Sequence, residues 1–142
     1  MAIWQKTPST EALDYIHDDT LMQHLGMRIS DIGDDYIIAS MPVDKRTHQP
    51  MGLLHGGASV ALAESVGSLA ANLAVGPDHY CLGLEINANH LRGVKSGMVY
   101  AKATPEHLGR STQVWNIRIV NEADEAVCVA RLTMAVMKFG SG

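Results

Sequence analysis

The sequence predicts an α+β fold in which an antiparallel sheet of about six strands wraps around one long central helix. From Val60 to Ala74 every residue except Glu64 is apolar, small or uncharged, which is typical of a helix packed inside a protein. After Gly76-Pro77 the pattern changes to the apolar and polar alternation of strands. The alternating segments are joined by short connections, which favour antiparallel neighbours.

The chain before the central helix predicts short helices and a hairpin. A first helix after Pro8 has Ser9 or Thr10 as its cap and Leu13 and Ile16 on one face. A helical turn over Leu21 to Leu25 follows, ended by Gly26. Next come two strands, over Met27 to Ile32 and Tyr36 to Val43, which are joined at Gly33-Asp34-Asp35. A loop over Asp44 to Leu54 comes last. This loop delivers the chain to the start of the central helix.

Four more strands follow the central helix, which we expect to end near Ala74. They span Tyr80 to Leu91, Gly97 to Thr104, Thr112 to Val120 and Val127 to Met137. Their connections are Gly93 to Ser96, Pro105 to Arg110 and Asn121 to Glu125. With the hairpin they complete the sheet, and we expect residues 1–142 to form a single domain.

Composition and charge narrow the function classes. The formal net charge is −4 and no basic stripe is visible, which argues against a nucleic-acid or anionic-membrane partner. Cys81 and Cys128 form no CxxC and are interpreted as buried reduced thiols. The seven histidines include no HExxH and no paired Cys/His spacing, so no metal is expected. Without an apolar signal segment or a membrane-length run, we expect a cytoplasmic protein.

Glu64 is the charged residue of the central helix. An unpaired carboxylate in a buried helix is costly, so it needs either a partner or a purpose. Ser68 follows at i+4 and therefore lies on the same helix face. The alternative interpretation is a structural carboxylate that sits at a sheet edge or pairs with an arginine.

His55 and Gly56 lie where the central helix begins. Unpaired backbone N–H groups and the helix dipole favour a negative oxygen there, and glycine lets a carbonyl approach closely. This is the arrangement of an oxyanion site. The alternatives are a plain turn at Gly56-Gly57 and a loop histidine at position 55. The nucleophile elbow of α/β-hydrolases is excluded because Ala61 stands where it needs a second glycine.

Six short segments between residues 41 and 110 form a combination of motifs. They are Met41-Pro42-Val43-Asp44, Arg46 to Pro50, Gly52 to Gly57, Ala61 to Glu64, Asn87 to His90 and Leu108-Gly109-Arg110. Together they resemble the hotdog-fold acyl-CoA thioesterases. The resemblance is greatest to the branch of the dihydroxynaphthoyl-CoA thioesterase of menaquinone synthesis and the proofreading thioesterase of enterobactin-type siderophore assembly. It implies a hotdog fold and thioester hydrolysis.

The resemblance implies a role for each residue that matches the family motifs. Glu64 would be the catalytic carboxylate, acting as a nucleophile on the thioester carbonyl or as a base for water. The Gly56 N–H would hold the oxyanion. His55 would orient or polarise the thioester, and Gln49 would contact its carbonyl or the leaving thiolate. Ser68 would help to place the hydrolytic water.

The resemblance also implies that coenzyme A is part of the substrate and that no separate cofactor is needed. The residues that match the region where the family meets phosphates and pantetheine are His90, Arg92, Arg110 and Ser111. The family pairs two subunits so that their sheets join, and this branch commonly forms a homotetramer. We therefore expect a homo-oligomer, at least a dimer, with an acyl-CoA or an acyl carrier protein thioester at the subunit boundary.

The acyl pocket is expected to be apolar, with Met51, Leu53 and Leu54 from the loop and Ala61 from the helix. Such a pocket distinguishes analogues by only about 1–3 kcal/mol per methylene-sized difference, so aryl-CoA and medium-chain acyl-CoA are both expected. Met51 and Gly93 stand where the branch often has Phe and Pro. Two other functions remain alternatives: a non-catalytic acyl-CoA-binding hotdog module and an enoyl-CoA hydratase.

Overall fold

The computed structural model describes residues 1–9, 13 and 18–140 and confirms the α+β architecture. A six-stranded antiparallel sheet packs against one long helix. The elements are α1 (Leu21–His24), β1 (Arg28–Ile32), β2 (Ile37–Val43), α2 (Gly56–Leu73), β3 (His79–His90), β4 (Gly97–Leu108), β5 (Thr112–Val120) and β6 (Ala126–Lys138). The predicted first helix after Pro8 falls largely on residues outside the described ranges.

The short elements before α2 form as the sequence predicts. Gly26 follows α1 with φ +74, the left-handed conformation that ends many helices. A methyl group there would also lie 2.8 Å from Cγ of Pro42, so a side chain has no room. The strands β1 and β2 pair in antiparallel fashion, and the Gly33 N–H donates to the Tyr36 carbonyl at 2.9 Å in the turn between them.

The strand order β1-β2-β4-β5-β6-β3 leaves β1 and β3 at the edges of the sheet. Strand β3 pairs with β6 along its length, and its other side has no neighbour among the described strands. Leu82 and Leu84 on β3 are 54% and 62% exposed. An open edge that carries apolar side chains favours pairing with another strand.

The predicted loop from Pro105 to Arg110 is wrong. Strand β4 continues to Leu108, and the chain turns between Gly109 and Ser111. The pairing of β4 with β5 shifts register between Pro105 and His107. Proline has no N–H to donate to the ladder, and a bulge of this kind lets a strand continue past it.

The core lies between α2 and the face of the sheet that packs against it. Leu62 and Val66 of the helix are 0% and 1% exposed, and they belong to the same buried cluster as Ile117 and Leu132 of the sheet. A methyl group on Gly67 would lie 2.7 Å from Cδ2 of Leu132, so this glycine lets the helix approach the strands closely. The opposite face of α2 stays open in a single chain, and this is the face that carries the predicted chemistry.

The two cysteines are free and buried, as the sequence predicts. Burial raises the pKa of both the Cys81 and the Cys128 thiol, which keeps them protonated and unreactive. In the described ranges no helix is both long enough and apolar enough to cross a membrane.

Candidate active site

Helix α2 begins at Gly56, with His55 in extended conformation as its N-cap. The carbonyl of His55 accepts from the N–H groups of Ala58 at 3.0 Å and Ser59 at 3.2 Å. The Gly57 N–H donates to His55 Nδ1 at 2.8 Å. The Gly56 N–H makes no hydrogen bond to a described residue, so it is the donor of the first turn that is open to a ligand.

A cleft of about 430 Å³ opens at this end of the helix, and we call it the Gly56 cleft. Its lining residues are Gln49, Leu53, Leu54, Gly56, Ser59, His90, Leu91, Arg92, Gly93 and Val127. A methyl group on Gly56 would lie 2.9 Å from His90 Nε2, so the His90 ring packs directly on the glycine. The fold therefore brings together residues singled out in the sequence, namely Gln49, Leu53, Leu54, Gly56, His90, Arg92 and Gly93.

The Gln49 side chain enters this cleft from a tight loop. Its backbone N–H donates to the Leu53 carbonyl at 2.7 Å, and Gly52 closes the turn with φ +78. The carboxamide oxygen accepts from the Met51 N–H. Since the oxygen is used within the loop, the amide NH₂ is the group that Gln49 has left to offer a ligand. The Met51 side chain is 83% exposed and does not line the cleft.

Glu64 lies two turns further along α2, in a depression of about 490 Å³ that we call the Glu64 groove. The residues that line it are Leu21, Met22, Ala61, Glu64, Ser65, Ser68, Leu69 and Asn72. The prediction that Glu64 is buried is wrong for the single chain, because only the opposite face of α2 packs on the sheet. A methyl group on Gly83 would lie 2.8 Å from Glu64 Oε2, so the carboxylate rests against the edge strand β3.

Ser68 lies in the groove with Glu64, as the i+4 spacing predicts. Its carbonyl accepts from Asn72 Nδ2 at 2.8 Å, and Asn72 Oδ1 accepts from the Cys81 N–H at 2.8 Å. Asn72 therefore ties this part of α2 to β3. The Ser68 hydroxyl donates to no described residue, which leaves it available to a ligand or to water.

The Gly56 cleft and the Glu64 groove share no lining residue. Glu64 is eight positions after Gly56, and at 1.5 Å per helical residue this places their backbones about 12 Å apart. Groups that act on one carbonyl must each lie about 3 Å from its reacting atoms. One chain therefore does not bring the Gly56 donor and the Glu64 carboxylate to the same carbonyl.

The residues matched to coenzyme A fall in two places. His90 and Arg92 line the Gly56 cleft, where Arg92 pairs with Glu125 at 3.3 Å. Arg110 lines a third depression, of about 570 Å³, near the C-terminal end of α2, and the exposed Ser111 follows it in the β4–β5 turn. Within the described part of the chain, no group of three His, Cys, Asp or Glu side chains is placed to hold a metal ion.

Some residues that line the two depressions were not singled out in the sequence. Ser59 is 1% exposed, lines the Gly56 cleft, and its hydroxyl donates to no described residue. The feature of the sequence that could have identified Ser59 is that it is a polar residue in a largely apolar helix. Leu21, Met22, Leu69 and Asn72 line the Glu64 groove. Nothing in the sequence marks Leu21 and Met22 of α1 as lining residues, because their position beside α2 depends on the tertiary fold.

The groups in these two depressions are the ones that acyl transfer uses. A free N–H at a helix start, with an imidazole and a carboxamide beside it, suits a carbonyl oxygen, and an exposed carboxylate suits a nucleophile or a base. On this fold they define a hydrolase of the hotdog class. The profile of the thioesterase superfamily matches residues 51–128, and the chain belongs to that superfamily.

Known relatives and solved structures agree with this family. The chain is 47% identical over 135 residues to the 1,4-dihydroxy-2-naphthoyl-CoA hydrolase of Escherichia coli, covering 95% of this chain and 99% of that protein. It is also 47% identical over 135 residues to the proofreading thioesterase EntH of Cronobacter turicensis, covering 95% and 98%. The crystal structure of a thioesterase from Haemophilus influenzae matches with a TM-score of 0.97 and 50% identity, covering 98% and 97%. The predicted hotdog thioesterase family is confirmed.

Proposed function

We propose that this protein hydrolyses aryl- and medium-chain acyl-CoA thioesters at a site shared by two subunits. One observation carries the proposal: the unpaired N–H of Gly56 and the open carboxylate of Glu64 lie on the same helix, each at the edge of its own depression. Gly56 would bind the thioester oxygen, and Glu64 would act on the carbonyl carbon. The amide NH₂ of Gln49 would donate to the same oxygen or to the leaving sulfur.

The chemistry has two routes, which differ in what Glu64 does. As a nucleophile, its oxygen bonds to the carbonyl carbon, the C–S bond breaks to release the thiolate, and water then hydrolyses the acyl-glutamyl anhydride. As a base, Glu64 takes a proton from water while the water oxygen attacks, and the C–S bond then breaks. In both routes the thiolate takes up a proton and the products are the free acid and coenzyme A. Ser68, one turn away, would help to hold the water.

A second copy of the chain would complete the site. The carboxylate of Glu64 lies against Gly83 on the open edge strand, beside the exposed Leu82 and Leu84. Pairing this edge with the same edge of another copy would cover these leucines and join the two sheets into one. Glu64 would then face Gly56 of the partner subunit. A homotetramer would be two such dimers.

The coenzyme A moiety would leave the site through the Gly56 cleft. This cleft is lined by His90 and Arg92, and the ion pair of Arg92 with Glu125 is about half exposed, so the guanidinium can exchange partners with a phosphate. Arg110 and Ser111 lie elsewhere in one chain, so we propose that they reach the nucleotide from the partner subunit. The same cleft would accept the phosphopantetheine of an acyl carrier protein.

The acyl group would lie in the Glu64 groove. Leu21 and Met22 of α1 and Leu69 of α2 make its walls largely apolar, and Glu64 is the charged residue among those that line it. The acyl pocket predicted from the sequence consisted of Met51, Leu53, Leu54 and Ala61. Of these four residues, Ala61 lines the Glu64 groove. Similarity to the naphthoyl-CoA hydrolase supports a hydroxynaphthoyl thioester, and hence cytoplasmic menaquinone synthesis, among the candidates.

We expect turnover of both aryl and medium-chain substrates, with aryl groups preferred by less than about a hundredfold, because an apolar groove discriminates weakly. The measurement is kcat/KM for benzoyl, hydroxybenzoyl, hydroxynaphthoyl, hexanoyl, decanoyl and acetyl thioesters. Each acyl group is presented on coenzyme A and on an acyl carrier protein.

The same panel separates the alternative functions. Tight binding without turnover of any member would show a non-catalytic acyl-CoA-binding module and overturn the proposal. Addition of water to an enoyl-CoA, without thioester hydrolysis, would show a hydratase. Discrimination beyond about ten-thousandfold would contradict an apolar groove, since it requires a polar specificity contact.

A further inference from the structure

We infer that Gly83 of the edge strand β3 is a positioning residue for the Glu64 carboxylate; the inference rests on the thioesterase function proposed above. A methyl group on Gly83 would lie 2.8 Å from Glu64 Oε2 and 3.9 Å from Glu64 Cδ. Carbon and oxygen atoms in contact are usually about 3.3–3.6 Å apart. The carboxylate therefore occupies space that any side chain at position 83 would fill, and Oε2 is the oxygen that faces the strand.

Strand β3 is irregular where it meets the carboxylate. Gly83 pairs with Met134 and Glu85 pairs with Thr133, so the register with β6 shifts between them. Leu84 is the extra residue of this bulge and is 62% exposed. A bulge bends its strand, and bulges are frequent next to active sites, where they change the direction of a side chain. The glycine and the bulge together shape the surface on which the carboxylate rests.

Hydrogen bonds tie helix α2 to β3 close to this contact. Asn72 Oδ1 accepts from the Cys81 N–H at 2.8 Å, and Asn72 Nδ2 donates to the Cys81 carbonyl at 3.3 Å. Lys6 Nζ donates to the carbonyl of Asn72 on the helix at 2.9 Å and to that of His79 on the strand at 3.1 Å. Because these bonds hold the helix and the strand together, the flexible Glu64 side chain is the part that moves when the space is filled.

A methyl group at position 83 should therefore displace the catalytic group and leave the fold intact. The φ of Gly83 is not positive, so alanine can adopt its backbone conformation. We expect Gly83→Ala to lower kcat about tenfold to a hundredfold, since small misplacements of a catalytic group cost this much. KM should stay close to the parental value, and Tm should change by no more than a few degrees.

Gly76→Ala is the matched control. A methyl group on Gly76 would lie 3.2 Å from Gln5 Oε1, the end of another flexible side chain, and Gly76 lines neither the Gly56 cleft nor the Glu64 groove. The rates are compared at concentrations where sedimentation shows the same association state for all three proteins. We expect the parental kcat in Gly76→Ala. An equal loss in both variants, or the parental kcat in Gly83→Ala, would overturn the positioning role.

A double-mutant cycle separates displacement of the carboxylate from general damage to the site. The Glu64→Gln protein has no carboxylate to displace, so adding Gly83→Ala to it should leave the residual rate unchanged. A further loss as large as the one that Gly83→Ala causes in the parent would show that Gly83 acts through another group, and the inference would fail.

The crystal structure of the free Gly83→Ala protein decides the inference without a substrate. We expect Glu64 Oε2 to move by at least about 0.5 Å, the distance needed to restore an ordinary contact, while the backbones of α2 and β3 keep their positions. A carboxylate in its parental position, with the strand displaced instead, would contradict the inference. If the parent hydrolyses no thioester, the proposed function fails, and this comparison still shows whether Gly83 positions the carboxylate.

Discussion

Replacement of Glu64 by glutamine is expected to lower kcat at least about a thousandfold while the fold is retained. The amide fills the same volume but is neither a nucleophile nor a base. The Glu64 carboxylate is exposed and accepts no hydrogen bond from the described residues, so Tm should change little. Steady-state hydrolysis of a good acyl-CoA and a thermal melt measure the two effects.

Glu106→Gln is the matched control for this substitution. Glu106 is an exposed carboxylate on β4 that accepts from Asn116 Nδ2 at 3.2 Å, and it lines neither the Gly56 cleft nor the Glu64 groove. The Glu106→Gln variant should hydrolyse the substrate at the parental rate. If Glu64→Gln stays within about tenfold of the parent, Glu64 is not the catalytic group.

Gly56→Pro is expected to lower kcat about a hundredfold to a thousandfold, because it removes the N–H proposed to bind the oxyanion. The helix should survive, since proline is favoured at the first helical position. The preceding residue must be extended, and His55 already is, with φ −68 and ψ 129. The variant therefore tests a hydrogen-bond donor with little change to the backbone.

Gly56→Ala is the control that keeps the N–H. Its methyl group meets His90 Nε2 at 2.9 Å, and the proline ring introduces the same contact. The difference in kcat between the two variants therefore measures the N–H itself. An equal loss in both would assign the effect to His90 and would refute the oxyanion role of Gly56.

Local signals were enough to predict most of the fold. The start of α2 at Gly56 and its end near Ala74 follow from a run of apolar and small residues between a glycine pair and Gly76-Pro77. The hairpin follows from alternation on both sides of a turn. The end of β4 was missed because Pro105 reads as a strand breaker, whereas a register shift with β5 carries the strand past it.

The candidate site was predictable in its residue types and not in its geometry. Gly56 and Gln49 share a cleft because they are close in sequence, and Ser68 joins Glu64 through helical periodicity. The exposure of Glu64 depends on which face of α2 the sheet covers, a tertiary property that composition does not determine. The approach of α1 to the groove, through Leu21 and Met22, is equally non-local.

Mixing two inactive variants tests whether each site is shared by two subunits. Glu64→Gln and Gly56→Pro are co-expressed in equal amounts and purified together. If each site takes Glu64 from one subunit and Gly56 from the other, half of the dimers are mixed and each of these has one intact site. We therefore expect the mixture to recover about a quarter of the parental activity. Activity no higher than that of the separate variants would contradict it, because a site built within one chain cannot be restored by mixing.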